Sequence, residues 1–206
     1  MKQKDIPKPS MSAWEVACVA KDIDNSPMRK KAFVEIGSRN GGSWYYFSQL
    51  MDSGATVIAV DLPGGPWGME ASSSKLKEVL SILNQQGYSA SAILGNSKDP
   101  DITQMVRDSV PDGIDVLLID GDHSYEGIVS DLKTYAPMVR PGGMVIVHDC
   151  GYCGGTIGHL HPTGVATTKE VHRAFQEFAN KKKSTVYQDT WGLGVVWITE
   201  TEKGEA

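Results

Sequence analysis

The sequence predicts an α/β fold: a doubly wound, mostly parallel seven-stranded sheet with helices on both faces and a C-terminal antiparallel hairpin. Three observations predict it. Short β-rich runs alternate with helix-like stretches along most of the chain. The runs are almost continuously apolar, as in strands covered by helices on both faces, and do not alternate like half-exposed strands. The last two runs are joined by so few residues that only an antiparallel hairpin can connect them.

A helix from Ser12 to Asp22 belongs to an N-terminal segment, residues 1–31, that precedes the first strand. Strands follow at Ala32 to Ile36, Thr56 to Val60, Ser89 to Leu94, Asp115 to Ile119 and Met144 to Val147. The helices between them run from Trp44 to Met51, Ser72 to Gln86, Asp101 to Asp108 and Tyr125 to Val139. Arg140-Pro141-Gly142-Gly143 stops the last of these and turns the chain into the fifth strand. The stretch from Cys150 to Gly164 is glycine-rich and aperiodic, which reads as a long loop and a mobile substrate lid over residues 150–165. A helix from Thr167 to Lys181 leads to the closing strands, Ser184 to Gln188 and Gly194 to Thr199, joined through Asp189-Thr190-Trp191-Gly192.

With 206 residues, 40% of them hydrophobic and 22% charged, residues 1–206 fit one globular domain and exclude global disorder or a fibrous repeat. A net charge of -5 argues against a nucleic-acid surface, and the run Lys181-Lys182-Lys183 reads as a solvated helix end. No apolar run approaches the roughly 18 residues that cross a bilayer, and Met1-Lys2-Gln3-Lys4-Asp5 leads into no apolar signal segment. Three cysteines make no disulfide framework, so a reducing, cytoplasmic setting is expected, with no membrane or nucleic-acid partner.

Two constellations carry chemistry. At the first strand-to-helix junction, Gly37-Ser38-Arg39-Asn40-Gly41-Gly42-Ser43 is a glycine-rich turn at the carboxyl edge of the sheet, where small residues let a ligand lie against the backbone. Its spacing, G-x-x-x-G-G, departs from the G-x-G-x-x-G dinucleotide fingerprint and weakens a nicotinamide reading. Asp61, ending the second strand, suits hydrogen bonding to a ribose diol, or caps the following helix. The second constellation is Asp120-Gly121-Asp122-His123 after the fourth strand with His148-Asp149 after the fifth. Five ionisable groups thereby meet at neighbouring strand ends, where Asp120 and Asp149 either cap the following helix and loop or give oxygen ligands to a divalent cation, with His148 or water completing the shell.

Glu35-Ile-Gly-Ser-Arg-Asn-Gly-Gly-Ser43, Val60-Asp61, Ile119-Asp-Gly-Asp-His-Ser-Tyr-Glu126 and Arg140-Pro-Gly-Gly-Met-Val-Ile-Val-His-Asp149 together resemble class I S-adenosylmethionine-dependent methyltransferases. The resemblance, which spans Ala32 to Thr199, is nearest to metal-dependent small-molecule O-methyltransferases: macrocin-type sugar enzymes, catechol-type enzymes and cephalosporin-hydroxylase-like proteins. It implies a Rossmann-like methyltransferase fold in which Glu35, Gly37, Ser38, Asn40, Gly41 and Ser43 shape the methionine pocket. Asp61 then binds the ribose hydroxyls, and Gly95, Asn96 and Ser97 line the adenine. Asp120, beside the cofactor, and Asp149 match the family's metal-binding acids. His148 stands where many relatives have another acid or an uncharged residue, so Mg is joined by Mn, Fe and Zn as candidate metals, which a nitrogen ligand suits better. Asp122 or His123 is the nearest base for the acceptor proton.

An alcohol or phenol is poorly ionised at neutral pH, and a cation with a nearby His or Asp would prepare it as a nucleophile. The Asn/Asp-Pro-Pro-aromatic signature of amino-methyltransferases is absent, so the expected acceptor is an oxygen on a small molecule. An NAD(P)-linked oxidoreductase and a non-catalytic nucleotide-binding module of the same fold are the competing readings. Cys150, Cys153, His159 and His161 offer four zinc-ligand types in one loop, at a spacing unusual for a zinc finger. Trp67 and Trp191 either stack on a ligand or anchor loops, and His172 is expected at the surface. The sequence is compatible with a homo-oligomer and carries no code for its acceptor.

Overall fold

The computed structural model describes residues 6–64, 70–151 and 167–200. Its elements in chain order are α1 (Ala13–Asn25), β1 (Ala32–Ile36), α2 (Gly42–Ser48), β2 (Thr56–Asp61), α3 (Glu70–Gln85), β3 (Ser89–Leu94) and α4 (Pro100–Ser109). Then come β4 (Ile114–Ile119), α5 (Tyr125–Tyr135), a 3-10 turn (Ala136–Met138), β5 (Val139–His148), α6 (Thr167–Ala179), β6 (Ser184–Tyr187) and β7 (Leu193–Trp197). The strands form one seven-stranded sheet in the order β3-β2-β1-β4-β5-β7-β6. The first five are parallel, β7 runs antiparallel to β5, and β6 pairs antiparallel with β7.

The apolar strands have two covered faces, which accounts for their lack of alternation. On one face Phe33, Val57, Val116, Leu118, Ile146 and Val195 pack with Val19 and Ile23 of α1, Trp44 and Phe47 of α2, and Leu76 and Val79 of α3. On the other, Val34, Ile58, Leu117, Val145 and Val147 pack with Val106 of α4, Ile128 and Leu132 of α5, and Val171 and Phe175 of α6. The chain winds outward from β1 through β2 to β3, then returns to β4 on the opposite side. Such a reversal opens a crevice at the carboxyl ends of β1 and β4. Backbone bonds from Gly37 N–H to the Val60 carbonyl (2.8 Å) and from Asp120 N–H to the Ile36 carbonyl (2.8 Å) extend the sheet into that crevice.

Two boundaries differ most from the sequence reading. The helix expected to reach Val139 gives way at Ala136 to a 3-10 turn, because Pro137 has no N–H to donate and its ring crowds the preceding turn. The segment Arg140–Gly143, expected as a turn, lies inside β5: Val139 pairs with Ile114 and a register shift between Ile114 and Val116 absorbs the extra residues. Gly142, at φ 85°, there donates to the Ile198 carbonyl at 2.7 Å. Among the described residues no helix is long and apolar enough to cross a membrane.

Candidate active site

The glycine-rich turn is shaped first by its own packing. A Cβ on Gly37 would lie 2.1 Å from the Asp120 carbonyl oxygen, so the β1 and β4 ends can approach only with glycine there. A Cβ on Gly41 would press on Leu76 and Val79 of α3, and one on Gly42 would meet the Lys8 carbonyl at 2.4 Å. These glycines let three other segments close around the crevice. Arg39, at φ 48°, is held in its left-handed conformation by its N–H bond to Asp61 Oδ1 at 3.0 Å. Asp61 therefore braces the turn with one carboxylate oxygen, and burial raises its pKa.

Beneath the turn Glu35 is fully buried and accepts a hydrogen bond from Ser43 Oγ. Its pKa is raised from 4.5 to about 8, chiefly by burial, with Asp120 and Asp61 adding repulsion against the Ser43 and Ser38 hydroxyls. Glu35 Oε2 and Ser38 Oγ are buried, the Ser38 hydroxyl lying near enough to favour the carboxylate without closing a well-formed hydrogen bond. Asn40 is half-buried in the same turn. Across the crevice, Gly95 donates to the Asp61 carbonyl at 2.9 Å, which places the Gly95-Asn96-Ser97 loop beside the β2 end. Asn96 Oδ1 accepts from Lys98 N–H and Ser97 Oγ donates to Asp131 Oδ1 at 2.7 Å, so both side chains brace the loop.

The second constellation closes into a compact cluster. His123 Nε2 lies 3.3 Å from Asp120 Oδ1 and 3.3 Å from Asp149 Oδ2. His148 Nδ1 lies 3.0 Å from the same Asp120 oxygen and 3.3 Å from the same Asp149 oxygen. Burial opposes charge on Asp120, His123 and His148, but opposite neighbours prevail: the two histidines hold the Asp120 carboxyl well below the usual range. In turn, Asp120 and Asp149 raise His123 and hold His148 well above its ordinary value. Ligand atoms of Asp120, His123 and Asp149 all fall within 4.8 Å of one another, a span that suits one cation. The nitrogen in that grouping is His123 and not the expected His148, whose Nε2 is buried without a partner among the described residues.

Asp122 faces elsewhere. Its Oδ2 pairs with Lys98 Nζ at 2.6 Å, and its Oδ1 accepts from Ser124 N–H at 3.0 Å where α5 begins. Cys150 is fully buried, and burial pushes its thiol pKa up, an unfavourable setting for a zinc thiolate. His172, expected at the surface, is partly buried, with Nδ1 2.8 Å from the Cys150 carbonyl oxygen. Trp67, Cys153, His159, His161 and the 152–165 part of the expected lid lie outside the described residues.

Sequence reasoning passed over three buried acids, Asp115 at the start of β4 and two on helices. Glu15 of α1 shares the helix's buried stripe with Val19 and Ile23, and Asp131 of α5 lies among Ile128, Leu132 and Tyr135. A carboxylate at an apolar position of a helical stripe is a readable signal, since an acid is buried only where something compensates it.

A family model described as a methyltransferase domain matches residues 34–150, which carry both constellations. An uncharacterised protein, R132, of Acanthamoeba polyphaga mimivirus is 32% identical over 119 residues, 57% of this chain and 50% of that protein, so the match spans half the length of its relative. Among solved structures, the O-methyltransferase TomG of Streptomyces achromogenes, in complex with SAM, aligns with TM-score 0.63 at 17% identity over 96% of this chain and 85% of its own. An O-methyltransferase from Bacillus cereus, in complex with SAH, aligns with TM-score 0.64 at 15% identity over 94% and 85% of the two chains. The fold is theirs, and with more than half its length under the family model this chain belongs to the methyltransferase-domain family.

Proposed function

We propose that the protein transfers a methyl group from S-adenosylmethionine to a hydroxyl oxygen of a small molecule, assisted by a divalent cation held at Asp120, His123 and Asp149. The observation that carries this reading is the placement, at one sheet crevice, of an acidic ligand cleft beside a histidine flanked by two carboxylates. S-adenosylmethionine carries an ammonium and a sulfonium, both cationic, and supplies the methyl group. Asp61 and Asp120 give the cleft negative character, and the buried oxygens Glu35 Oε2 and Ser38 Oγ, neither in a well-formed hydrogen bond among the described residues, are groups that a polar ligand satisfies. Asp61, with Oδ1 on Arg39 N–H, keeps its second oxygen for a ribose hydroxyl.

Bound at the cluster, a divalent cation would act as a Lewis acid that lowers the pKa of the acceptor hydroxyl. Two carboxylates and an imidazole favour Mn, Fe or Zn over Mg, and His148, with Nδ1 against both carboxylates, fixes their orientation. A second reading has its own observation: His123 Nε2 is equally close to two carboxylates, as in a base oriented by acids. His123 then takes the hydroxyl proton as the methyl group leaves sulfur for oxygen, with no cation required.

Calorimetry with S-adenosylhomocysteine tests the cofactor. Binding should weaken about tenfold in Asp61→Ala, the loss of one charge-assisted contact, and binding of NAD in its place would overturn the assignment. Turnover on a panel of small hydroxyl compounds separates the two roles of His123. Loss in chelator with recovery on Mn²⁺ supports the cation, whereas activity that survives chelator and vanishes in His123→Ala supports the base.

A further inference from the structure

We propose that Glu15, on the N-terminal helix, is a positioning residue for Asp149: acting through the β6–β7 turn, it holds the backbone that aims the Asp149 carboxylate at Asp120 and His123. This rests on the cluster being the reaction centre argued above. Asp149 has φ 59°, a left-handed conformation that a non-glycine residue keeps only where its surroundings over-determine it. On the chain's near side the constraint is the β5–β7 ladder, whose last pair is His148 with Leu193.

On the far side the constraint is the turn between β6 and β7. Gly151 N–H donates to the Trp191 carbonyl at 2.8 Å. Gly192, at φ 87°, presses so closely on Gly151 that a Cβ there would lie 2.5 Å from the Gly151 nitrogen. From α6, His172 contacts the Cys150 carbonyl at 2.8 Å. The turn is thus the rail along which Cys150 and Gly151 leave Asp149, and Glu15 fixes that rail. Fully buried, Glu15 accepts with Oε1 from the N–H groups of Asp189 (2.7 Å), Thr190 (2.7 Å) and Gly192 (3.0 Å). Ser12 Oγ adds a bond to Asp189 Oδ2 at 2.6 Å. Three backbone donors converging on one carboxylate oxygen are charge-assisted and directional, and they lock the turn's path as well as filling space.

The test reads the cluster in the metal-free protein and again with Mn²⁺ alone. In Glu15→Ala the imidazole nitrogen resonances of His123 and His148 should move and Mn²⁺ affinity should fall about tenfold, as when support behind metal ligands is removed. Glu15→Gln keeps the oxygen acceptor and should restore both. Val19→Ala, one turn along the buried stripe of α1, removes packing without touching the turn and should leave both readouts at wild-type values. If Glu15→Ala does not fold, Glu15→Asp, one methylene too short to reach all three donors, should show the same directions. Imidazole resonances that stay put in the Glu15 variant, or that move equally in Val19→Ala, overturn the proposal. Absence of Mn²⁺ binding in the wild type would remove the cation from the proposed function, while the metal-free resonances still decide the role of Glu15.

Discussion

Asp115 and Asp120 stand near opposite ends of β4, both buried or nearly so, and they do different things. Asp115 is fully buried at the amino edge of the sheet: Oδ2 accepts from Lys31 N–H at 2.7 Å and Ala32 N–H at 2.9 Å, and Oδ1 faces Arg140 with Arg29 at 3.8 Å. Its partners are backbone donors and guanidiniums, which never give up their protons near neutrality. Asp120, at the carboxyl edge, faces two imidazoles and lies close to a second carboxylate. Every one of those partners can change its charge or bind a cation. Burial alone does not separate scaffold acids from reactive ones; the chemistry of the partners does.

That difference predicts the largest effect. Asp115→Ala strips two backbone donors and a half-buried guanidinium of their acceptor and should cost about 2–4 kcal/mol of stability, measured by urea denaturation. Asp120→Asn should lose less than half as much stability yet abolish Mn²⁺ binding and methyl transfer. A reversed order would break the comparison.

Glu35 and Glu15 repeat the contrast and give the next effect. Glu15 has three backbone donors, whereas Glu35 has one serine hydroxyl and a second oxygen in no well-formed hydrogen bond among the described residues. Because the folded-state pKa of Glu35 is raised, from 4.5 to about 8, the folded protein holds this proton more tightly than the unfolded chain. Its stabilising effect is therefore complete below the unfolded value and declines as pH rises through the window from 4.5 to about 8. Integrated to pH 7 the decline is about 3 kcal/mol. Glu35→Gln removes the ionisation and should recover most of it at pH 7, with little change at pH 4, in thermal melts without ligand. Equal shifts at both pH values would show that packing, not ionisation, governs the site.

Much of this fold is legible in the sequence because it is written in continuous apolar runs. Val57-Ile58-Ala59-Val60 and Leu117-Leu118-Ile119 can only be doubly covered strands, and their ends point to Asp61 and Asp120 directly. The β5 start was not legible, because pairing of Val139 with Ile114 depends on a register shift that local propensity does not encode. At the site, the sequence places five ionisable groups at two strand ends but not their rotation. That His123 shares the cation-sized grouping while Asp122 turns to Lys98 is settled by the path into α5, where Ser124 and Asp122 cap the helix start. Glu15 was hidden for a different reason, since its partners lie 174 to 177 residues away.

The smallest expected effect sharpens the comparison most, because Asp122 belongs to the same motif as Asp120 but has partners of the scaffold kind. Lys98 and the Ser124 N–H saturate its two oxygens, and 36% of its side chain is exposed. Burial would raise its pKa, yet Lys98 and Ser124 outweigh burial and lower it, so its contribution is present above the ordinary 3.8 and is lost as pH falls below that value. Asp122→Asn keeps the oxygen that accepts from Ser124 and gives up only an exposed ion pair, which should cost less than about 1 kcal/mol at pH 7. Turnover and its pH profile should stay near wild type in Asp122→Asn, whereas His123→Ala should collapse both. If Asp122→Asn instead loses turnover as severely as His123→Ala, with stability unchanged, then Asp122 handles the proton. A permanently charged lysine would in that case be no mark of a structural acid.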